Sequence, residues 1–349
     1  MPGTVKHACS VFTVMIRGGG GWATSRSSRM REDLLMSFLA ENNLEGALRE
    51  PLAGDASSRR YERVAADGKS LILMDAPPPQ DVRGFVIIAR ALRGLGYSAP
   101  EIKAEQSEQG FLLLEDLGDD VFARLFENGE EEEPLYRLAV DFLVDLAKSP
   151  VPPFLPRFSD DYVREQNEMF LEYYIPEKTG KQLDAEPRAF YLEIWENLLP
   201  RMRVGPDVML LRDFHSENLI YLQNRDGLKA LGLLDFQDAL SGPAAYDLVS
   251  LLQDARRDVA EPLAEEMMYH YLDATGVEET AFRESYAILG AHRALRIMGI
   301  FIRLAKVEGK RKYLDMIPRM QRHLVGNLAH PGLAALRNWL DLTIGEGRS

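Results

Sequence analysis

The sequence contains little of what several classes of protein require. Cys9 is the single cysteine among 349 residues, which excludes an intrachain disulfide framework or a cysteine-rich metal site and favours a reducing, cytoplasmic setting. The formal net charge of −13 argues against a nucleic-acid partner, because phosphate backbones are bound by clusters of lysine and arginine. Apolar runs are too short to cross a bilayer, since charged residues interrupt even the most apolar late segment, 285–307. We therefore expect neither a nucleic acid nor a membrane as partner.

Two polar clusters, each at the end of a short apolar run, carry the strongest chemical signal. Asp213 follows the run 208–211, Asn218 comes five residues after Asp213, and Asp235 follows the run 231–234. Kinases assemble a phosphoryl-transfer site from an aspartate, an asparagine and a second aspartate in this order. Asp213 could orient and deprotonate an acceptor hydroxyl. Asn218 and Asp235 could hold Mg²⁺ against the phosphates of ATP, because Mg²⁺ prefers oxygen ligands.

Three further polar residues lie close to these clusters. Asp238 is three residues after Asp235 and could touch a second metal ion or cap the following turn. Asp247 opens a predicted helix, where an acidic residue is favourable, and we expect it to brace the catalytic loop. His215 lies inside that loop and could contact phosphate or substrate, although a single histidine is more often a hydrogen-bonded structural residue.

The remaining pattern predicts an α+β protein with two lobes. Strand-like runs at 60–64, 71–74, 101–104 and 110–114 surround a helix over 85–95, and the chain after residue 118 is mostly helical. This order is typical of a two-lobed protein-kinase-like fold, with a small β-rich N-lobe and a larger helical C-lobe. We predict a disordered extension over 1–30, a nucleotide-binding lobe with its hinge over 31–118, and a C-lobe with the catalytic loop and acceptor site over 119–349.

The nucleotide side differs from the usual kinase pattern. The segment 54–61 lies where a phosphate-covering loop belongs, and its Ser57, Ser58 and Arg59 could contact phosphate, although a plain polar hairpin would explain the same residues. The strand 71–76 has no lysine for the phosphates, and the following helix has no glutamate to pair with one. Backbone groups of Glu115 and Leu117 could pair with the adenine edge, because they lie at the expected hinge.

Residues 31–345 resemble the aminoglycoside phosphotransferase (APH) family of small-molecule kinases. The segments 71–79, 110–118 and 235–248 are most similar to bacterial kinases of cell-wall recycling that phosphorylate the anomeric hydroxyl of N-acetylmuramate and N-acetylglucosamine. The resemblance implies Asp213 as base, Asn218 and Asp235 as Mg²⁺ ligands, and ATP as the phosphate donor. It also implies that the missing lysine is usual in this subgroup.

The acceptor site is less defined by the sequence. Aromatic residues are frequent in the helical segment 161–195, and Glu168, Tyr173 and Tyr174 are candidate sugar contacts, although aromatics at helical spacing more often belong to a core. An aminoglycoside kinase and a nucleotide-binding pseudokinase are the alternative functions. A protein kinase is disfavoured, because no recognisable activation segment separates Asp238 from Tyr246. The sequence does not predict the oligomeric state.

Overall fold

The structure is a computed structural model that describes residues 21–52, 59–66 and 68–345. Its first lobe is built on a five-stranded antiparallel sheet, in the strand order β1-β2-β3-β5-β4. The strands are β1 (Leu48–Pro51), β2 (Arg60–Ala66), β3 (Lys69–Asp75), β4 (Ile102–Gln106) and β5 (Phe111–Glu115). The four predicted strand runs correspond to β2, β3, β4 and β5. The short β1 was not predicted.

Two helices cover the two faces of this sheet. Successive side chains of a strand point to opposite faces, and the neighbours Leu73 and Met74 accordingly enter two different apolar clusters. Helix α1 (Gly21–Glu41) packs Phe38 on the face of Leu73. Helix α2 (Arg83–Gly94) packs on the face of Met74. Both faces of the sheet are therefore buried by helices.

Helix α1 begins at Gly21, whereas the sequence predicted a disordered extension over residues 1–30. Its buried face fixes the helix on the sheet, and extending an established helix costs little. Arg31 strengthens this docking, since its Nε donates to Asp75 Oδ1 at 3.0 Å and its guanidinium lies 3.9 Å from the ring centroid of Phe111. Residues 1–20 lie outside the described part of the chain.

The segment after β5 joins the two lobes. Arg63 on β2 donates to both Asp116 carboxylate oxygens, at 2.7 and 3.2 Å, and to Asp119 at 2.9 and 3.0 Å. Across the lobes, Ser98 Oγ donates to the Lys229 carbonyl oxygen at 2.7 Å. These contacts join the first lobe to the second lobe.

The second lobe is mostly helical. Its helices are α3 (Phe122–Glu127), α4 (Glu132–Leu146), α5 (Asp160–Met169), α6 (Ile175–Thr179), α7 (Ala185–Leu198), α8 (Ala245–Leu252), α9 (Glu261–Thr275), α10 (Glu279–Val307), α11 (Ile317–Leu328) and α12 (Ala334–Ile344). A π-helix at Phe170–Tyr174 joins α5 to α6. Helix α10 is the central element and packs against α5, α8 and α11. No helix in the described ranges is both long and apolar enough for a membrane span.

Two small antiparallel ribbons carry the polar clusters seen in the sequence. One pairs β6 (Val208–Leu210) with β9 (Leu240–Gly242), and the other pairs β7 (Leu219–Tyr221) with β8 (Leu231–Leu233). The apolar runs 208–211 and 231–234 seen in the sequence contain β6 and β8. Strand β9 was not predicted, because three residues that pair across about thirty positions leave little local pattern.

Candidate active site

The loop between β6 and β7 is held from behind by helix α8. The carboxylate of Asp247 accepts backbone N–H bonds from Leu211 at 2.6 Å and from Arg212 at 2.9 Å. Ser250, one turn later, donates to the Arg212 carbonyl oxygen at 3.0 Å. Arg212 itself has a φ of 70°, a left-handed conformation that is costly for a residue with a side chain. The bracing role predicted for Asp247 is confirmed.

Asp213 follows this anchored turn and is surrounded by positive charge. Burial disfavours ionisation, but the charges of Arg212, Arg296 and Arg293 outweigh it, and the pKa of Asp213 lies below its usual value. The carboxylate is therefore ionised at neutral pH. An ionised carboxylate can accept the proton of an acceptor hydroxyl.

Asn218 is oriented by the same loop. Its Nδ2 donates to the Asp213 carbonyl oxygen at 2.9 Å and lies 3.3 Å from His215 Nε2. These contacts use the donor side of the amide, and no described residue donates to its Oδ1. The amide oxygen of Asn218 is thus available as a metal ligand.

Asp235 is placed at the end of β8 with a φ of 54°. Its Oδ1 accepts from Gln237 Nε2 at 2.6 Å. Burial and the negative charges of Asp213 and Asp238 raise the pKa of Asp235, because like charges disfavour ionisation. A cation would relieve this repulsion, and the oxygen donors of Asn218 and Asp235 suit Mg²⁺. The described residues contain no group of three or more His, Cys, Asp or Glu residues that could hold a metal ion, so phosphate and water would have to complete the coordination.

The loop that carries Asp235 contacts the first lobe through an aromatic pair. Phe236, next to Asp235, stacks on Phe85 of α2 with ring centroids 4.8 Å apart. Both rings are buried. Helix α2 lacks the glutamate that pairs with the phosphate-binding lysine in the usual kinase pattern. In this protein, α2 contacts the loop through the apolar pair Phe85 and Phe236.

His215 is part of the loop's support. Arg256 Nη1 lies 3.1 Å from His215 Nε2, and Arg256 also pairs with Glu217 at 2.6 Å. Burial lowers the pKa of His215 to about 4, so the ring is neutral and can accept from Arg256. These contacts favour the structural alternative for His215 over a contact with substrate.

The nucleotide-side predictions have different outcomes. Ser57 and Ser58 lie outside the described residues. Arg59 precedes β2, hydrogen-bonds the Tyr61 side chain, and is close enough to Asp235 for its charge to lower the pKa of that carboxyl group. Arg59 therefore brings positive charge to Asp235 from the first lobe.

At the hinge, the structure distinguishes between the two residues predicted to pair with adenine, Glu115 and Leu117. The Glu115 N–H donates to the Glu101 carbonyl oxygen at 2.8 Å, so it cannot also pair with adenine. The Glu115 carboxylate accepts from Arg225 at 2.5 Å and from Arg93 at 3.4 Å, which joins the lobes. The Leu117 backbone has no hydrogen-bond partner among the described residues and is the better hinge candidate.

The three predicted sugar contacts have structural partners instead. Glu168 pairs with Arg188 on α7. Tyr174 is 4% exposed, and its hydroxyl accepts from Gln321 Nε2 at 2.7 Å. Tyr173 packs against the main apolar core. None of these contacts joins the three residues to Asp213.

Sequence reasoning missed two cations near Asp213. Arg293 and Arg296 on α10 both contribute positive charge there. They appeared in the sequence as interruptions of an apolar helix, and their spacing of three residues places them on one face. Two arginines on one face of an otherwise buried helix were the signal that could have identified them.

Residues 49–284 match the family model described as "Phosphotransferase enzyme family" (APH). The chain belongs to this family. It is therefore a phosphotransferase whose acceptor group is a hydroxyl, and the predicted family and enzyme class are confirmed.

Two relatives show how far the similarity extends. An N-acetylmuramate/N-acetylglucosamine kinase of Caulobacter vibrioides is 36% identical over 352 residues, covering 90% of this chain and 97% of that protein. A kinase of the same name from Pseudomonas aeruginosa is 35% identical over 295 residues, covering 82% of this chain and 86% of that protein. The similarity thus spans both lobes.

Solved structures of the family have the same fold. A choline/ethanolamine kinase family protein from Mesorhizobium loti has a TM-score of 0.62 at 18% identity, covering 88% of this chain and 100% of that chain. The ADP-bound aminoglycoside phosphotransferase APH(2'')-Ib has a TM-score of 0.57 at 15% identity, covering 84% of this chain and 99% of that chain. The predicted two-lobed kinase-like fold is confirmed.

Proposed function

We propose that the protein is an ATP- and Mg²⁺-dependent kinase that phosphorylates the anomeric hydroxyl of N-acetylmuramate and N-acetylglucosamine. One observation carries the phosphoryl-transfer chemistry: an ionised Asp213 lies in the same anchored loop as Asn218, beside Asp235. The choice of acceptor is supported by four relatives of that name, at 33 to 36% identity. In this proposal, residues 31–118 bind the nucleotide and residues 119–349 bind the acceptor.

In the proposed reaction, Asp213 accepts the proton of the anomeric hydroxyl while the hydroxyl oxygen forms a bond to the γ-phosphorus. The bond between that phosphorus and its bridging oxygen breaks, and the electron pair leaves with ADP. An anomeric hydroxyl is more acidic than an ordinary alcohol, so a carboxylate is an adequate base. Asn218 and Asp235 would hold Mg²⁺, which neutralises phosphate charge in such sites.

Two residues would serve the nucleotide. We assign Arg59 the place of the missing lysine, because its charge acts on Asp235 from the first lobe. Leu117 would pair with the adenine edge through its backbone, and Glu115 could contribute only its carbonyl oxygen. Ser57 and Ser58 stay predictions for the phosphate-covering loop.

The experiment compares four reactions of the purified full chain with ATP and Mg²⁺. The acceptors are N-acetylmuramate, N-acetylglucosamine, kanamycin and none, and ADP release is followed. Phosphorus NMR then locates the transferred phosphate on the product. We expect turnover with both sugars and a phosphate at the anomeric position. Turnover with kanamycin alone, or with no acceptor at all, would contradict the proposed function.

A further inference from the structure

Three arginines beside the catalytic loop differ from most others in this protein. Arg212, Arg293 and Arg296 are buried or half-buried, yet none forms an ion pair with a described residue. By contrast, the half-buried Arg31 and Arg63 pair with Asp75, Asp116 and Asp119. The ionised Asp213 lies near all three, but it brings one negative charge to three positive ones, and unbalanced charge away from water is unfavourable. An anionic ligand at this place would reduce the imbalance.

Arg296 is the one whose terminal nitrogens can reach a ligand. Its Nε donates to Gln166 Oε1 on α5 at 2.6 Å, which fixes the plane of the guanidinium. Its two Nη atoms have no acceptor among the described residues, and neither is enclosed by protein. Arg296 thus offers the two adjacent donors that bind a carboxylate in bidentate fashion.

The two other arginines are engaged differently. Arg293 is 3% exposed and donates to the Gln253 carbonyl oxygen at 3.2 Å, at the end of α8. Arg212 donates to the Asp238 carbonyl oxygen at 3.3 Å, and its guanidinium lies 5.8 Å from the ring centroid of Tyr162. Arg293 therefore ties α10 to α8, and Arg212 belongs to the catalytic loop.

Helix α5 links Arg296 to the catalytic loop that carries Asp213. Tyr162 and Gln166 lie one helical turn apart on α5, and they contact the guanidinium groups of Arg212 and Arg296 respectively. One face of α5 therefore contacts both the catalytic loop and α10.

A different cation, Arg59, acts on the predicted Mg²⁺ ligand Asp235. Arg296 is among the charges that lower the pKa of Asp213. The charged groups that act most on Asp235 are Asp213, Asp238 and Arg59. Arg59 therefore acts on Asp235, while Arg296 acts on Asp213, the residue that would meet the acceptor sugar.

N-acetylmuramate differs from N-acetylglucosamine by a lactyl ether that carries a carboxylate. We propose that Arg296, oriented by Gln166, binds this carboxylate and that N-acetylglucosamine is phosphorylated without the contact. The inference rests on the proposed function and names the residue that distinguishes the two acceptors. Asp213, the metal ligands and the nucleotide contacts serve both acceptors equally.

The test measures kcat and KM of the full chain with three acceptors: N-acetylmuramate, its neutral methyl ester and N-acetylglucosamine. The variants are Arg296→Gln and the control Arg303→Gln. Arg303 lies on the same helix and pairs with Glu308 at 3.2 Å, away from Asp213. In the unmodified chain, the ester should have a KM about tenfold or more above that of the acid, because charge-assisted hydrogen bonds are lost.

In Arg296→Gln, the KM for N-acetylmuramate should rise by the same factor, about tenfold or more, and the acid and ester should become equivalent. The KM for N-acetylglucosamine should change less than about threefold, which also reports that the variant is folded. Because Arg296 also acts on Asp213, kcat should fall by the same factor with both sugars. Arg303→Gln should change none of these values.

Three outcomes would overturn the inference. One is an equal KM for acid and ester in the unmodified chain, which decides the matter even if Arg296→Gln fails to fold. Another is a parallel rise in KM with both sugars in Arg296→Gln, since this would make Arg296 a general structural residue. The third is an unchanged KM for N-acetylmuramate in that variant. Failure of the unmodified chain to phosphorylate either sugar would instead refute the proposed function, and the inference with it.

Discussion

Replacing Asp247 by alanine tests how far the catalytic loop depends on a residue that does not touch the reacting atoms. Asp247 is 1% exposed and accepts the backbone N–H groups of Leu211 and Arg212. The alanine variant leaves both donors buried without an acceptor. Because Asp213 follows Arg212 directly, we expect the variant to lose stability and catalytic alignment together.

The magnitude follows from these two bonds. A buried donor left without an acceptor costs about 1–3 kcal/mol, so the pair costs about 2–6 kcal/mol. Burial raises the pKa of Asp247 to about 7, although the N–H bonds from Leu211 and Arg212 oppose this shift. Removing a carboxyl group that is costly to ionise recovers part of the loss. We therefore expect a decrease of about 2–4 kcal/mol in the free energy of unfolding. Misplacing the base should lower kcat by about 10²-fold.

Urea unfolding at pH 8, followed by circular dichroism, measures the stability, and ADP release with a saturating acceptor measures kcat. The control is Asp273→Ala, an exposed aspartate on α9, which should change the free energy of unfolding by less than about 0.5 kcal/mol. Should Asp247→Ala match this control in both stability and kcat, the loop is held by something other than the carboxylate, and our account of its anchoring is wrong.

Three further predictions concern the base, the buried histidines and a tight turn. Asp213→Asn should lower kcat by about 10²–10⁴-fold with ATP affinity by calorimetry nearly unchanged, and activity near wild type would exclude Asp213 as base. Burial lowers the pKa of His215 to about 4 and of His292 to about 3, so the unfolded chain binds protons more readily. These two histidines alone should lower the free energy of unfolding by roughly 3 kcal/mol between pH 8 and pH 5.5, and Asp247, whose pKa is raised to about 7, should return roughly 2 kcal/mol of it. We therefore expect a net fall of roughly 1 kcal/mol in urea unfolding, and a rise over this range would contradict it. Gly110→Ala should destabilise by about 2–5 kcal/mol in urea unfolding, because φ is 75° and a Cβ would meet the Ala76 carbonyl oxygen.

Gly129→Ala is the matched control for the turn. Gly129 has a φ of 89°, but a Cβ there meets nothing within 4 Å. Its substitution therefore costs only the backbone strain, about 1–2 kcal/mol. An equal loss in both glycine variants would show that the contact with Ala76 does not matter.

The catalytic loop could be predicted from the sequence because its determinants are local. Asp213 and Asn218 lie five residues apart, and each apolar run that precedes an acidic cluster marks a strand by itself. The role of Asp247 could also be predicted, since an acidic residue in the first turn of a helix has few competing roles.

The acceptor side could not be predicted, because it is formed by packing between distant segments. Gln166 and Arg296 are 130 positions apart and meet only when α5 lies against α10. The aromatic pattern that suggested Tyr174 as a sugar contact came from core packing, in which its ring stacks on Phe170 at 5.1 Å. A helical pattern of buried residues is the same for a core face and a binding face until the neighbouring helix is known.

The stack of Phe85 on Phe236 has a consequence for the conditions in which the enzyme works. Salt screens ion pairs but leaves contacts between apolar rings intact. The position of Asp235 relative to α2 should therefore be insensitive to ionic strength, whereas apolar contacts weaken on cooling. A kinase whose Asp235 loop is held by two phenyl rings should tolerate concentrated salt better than low temperature.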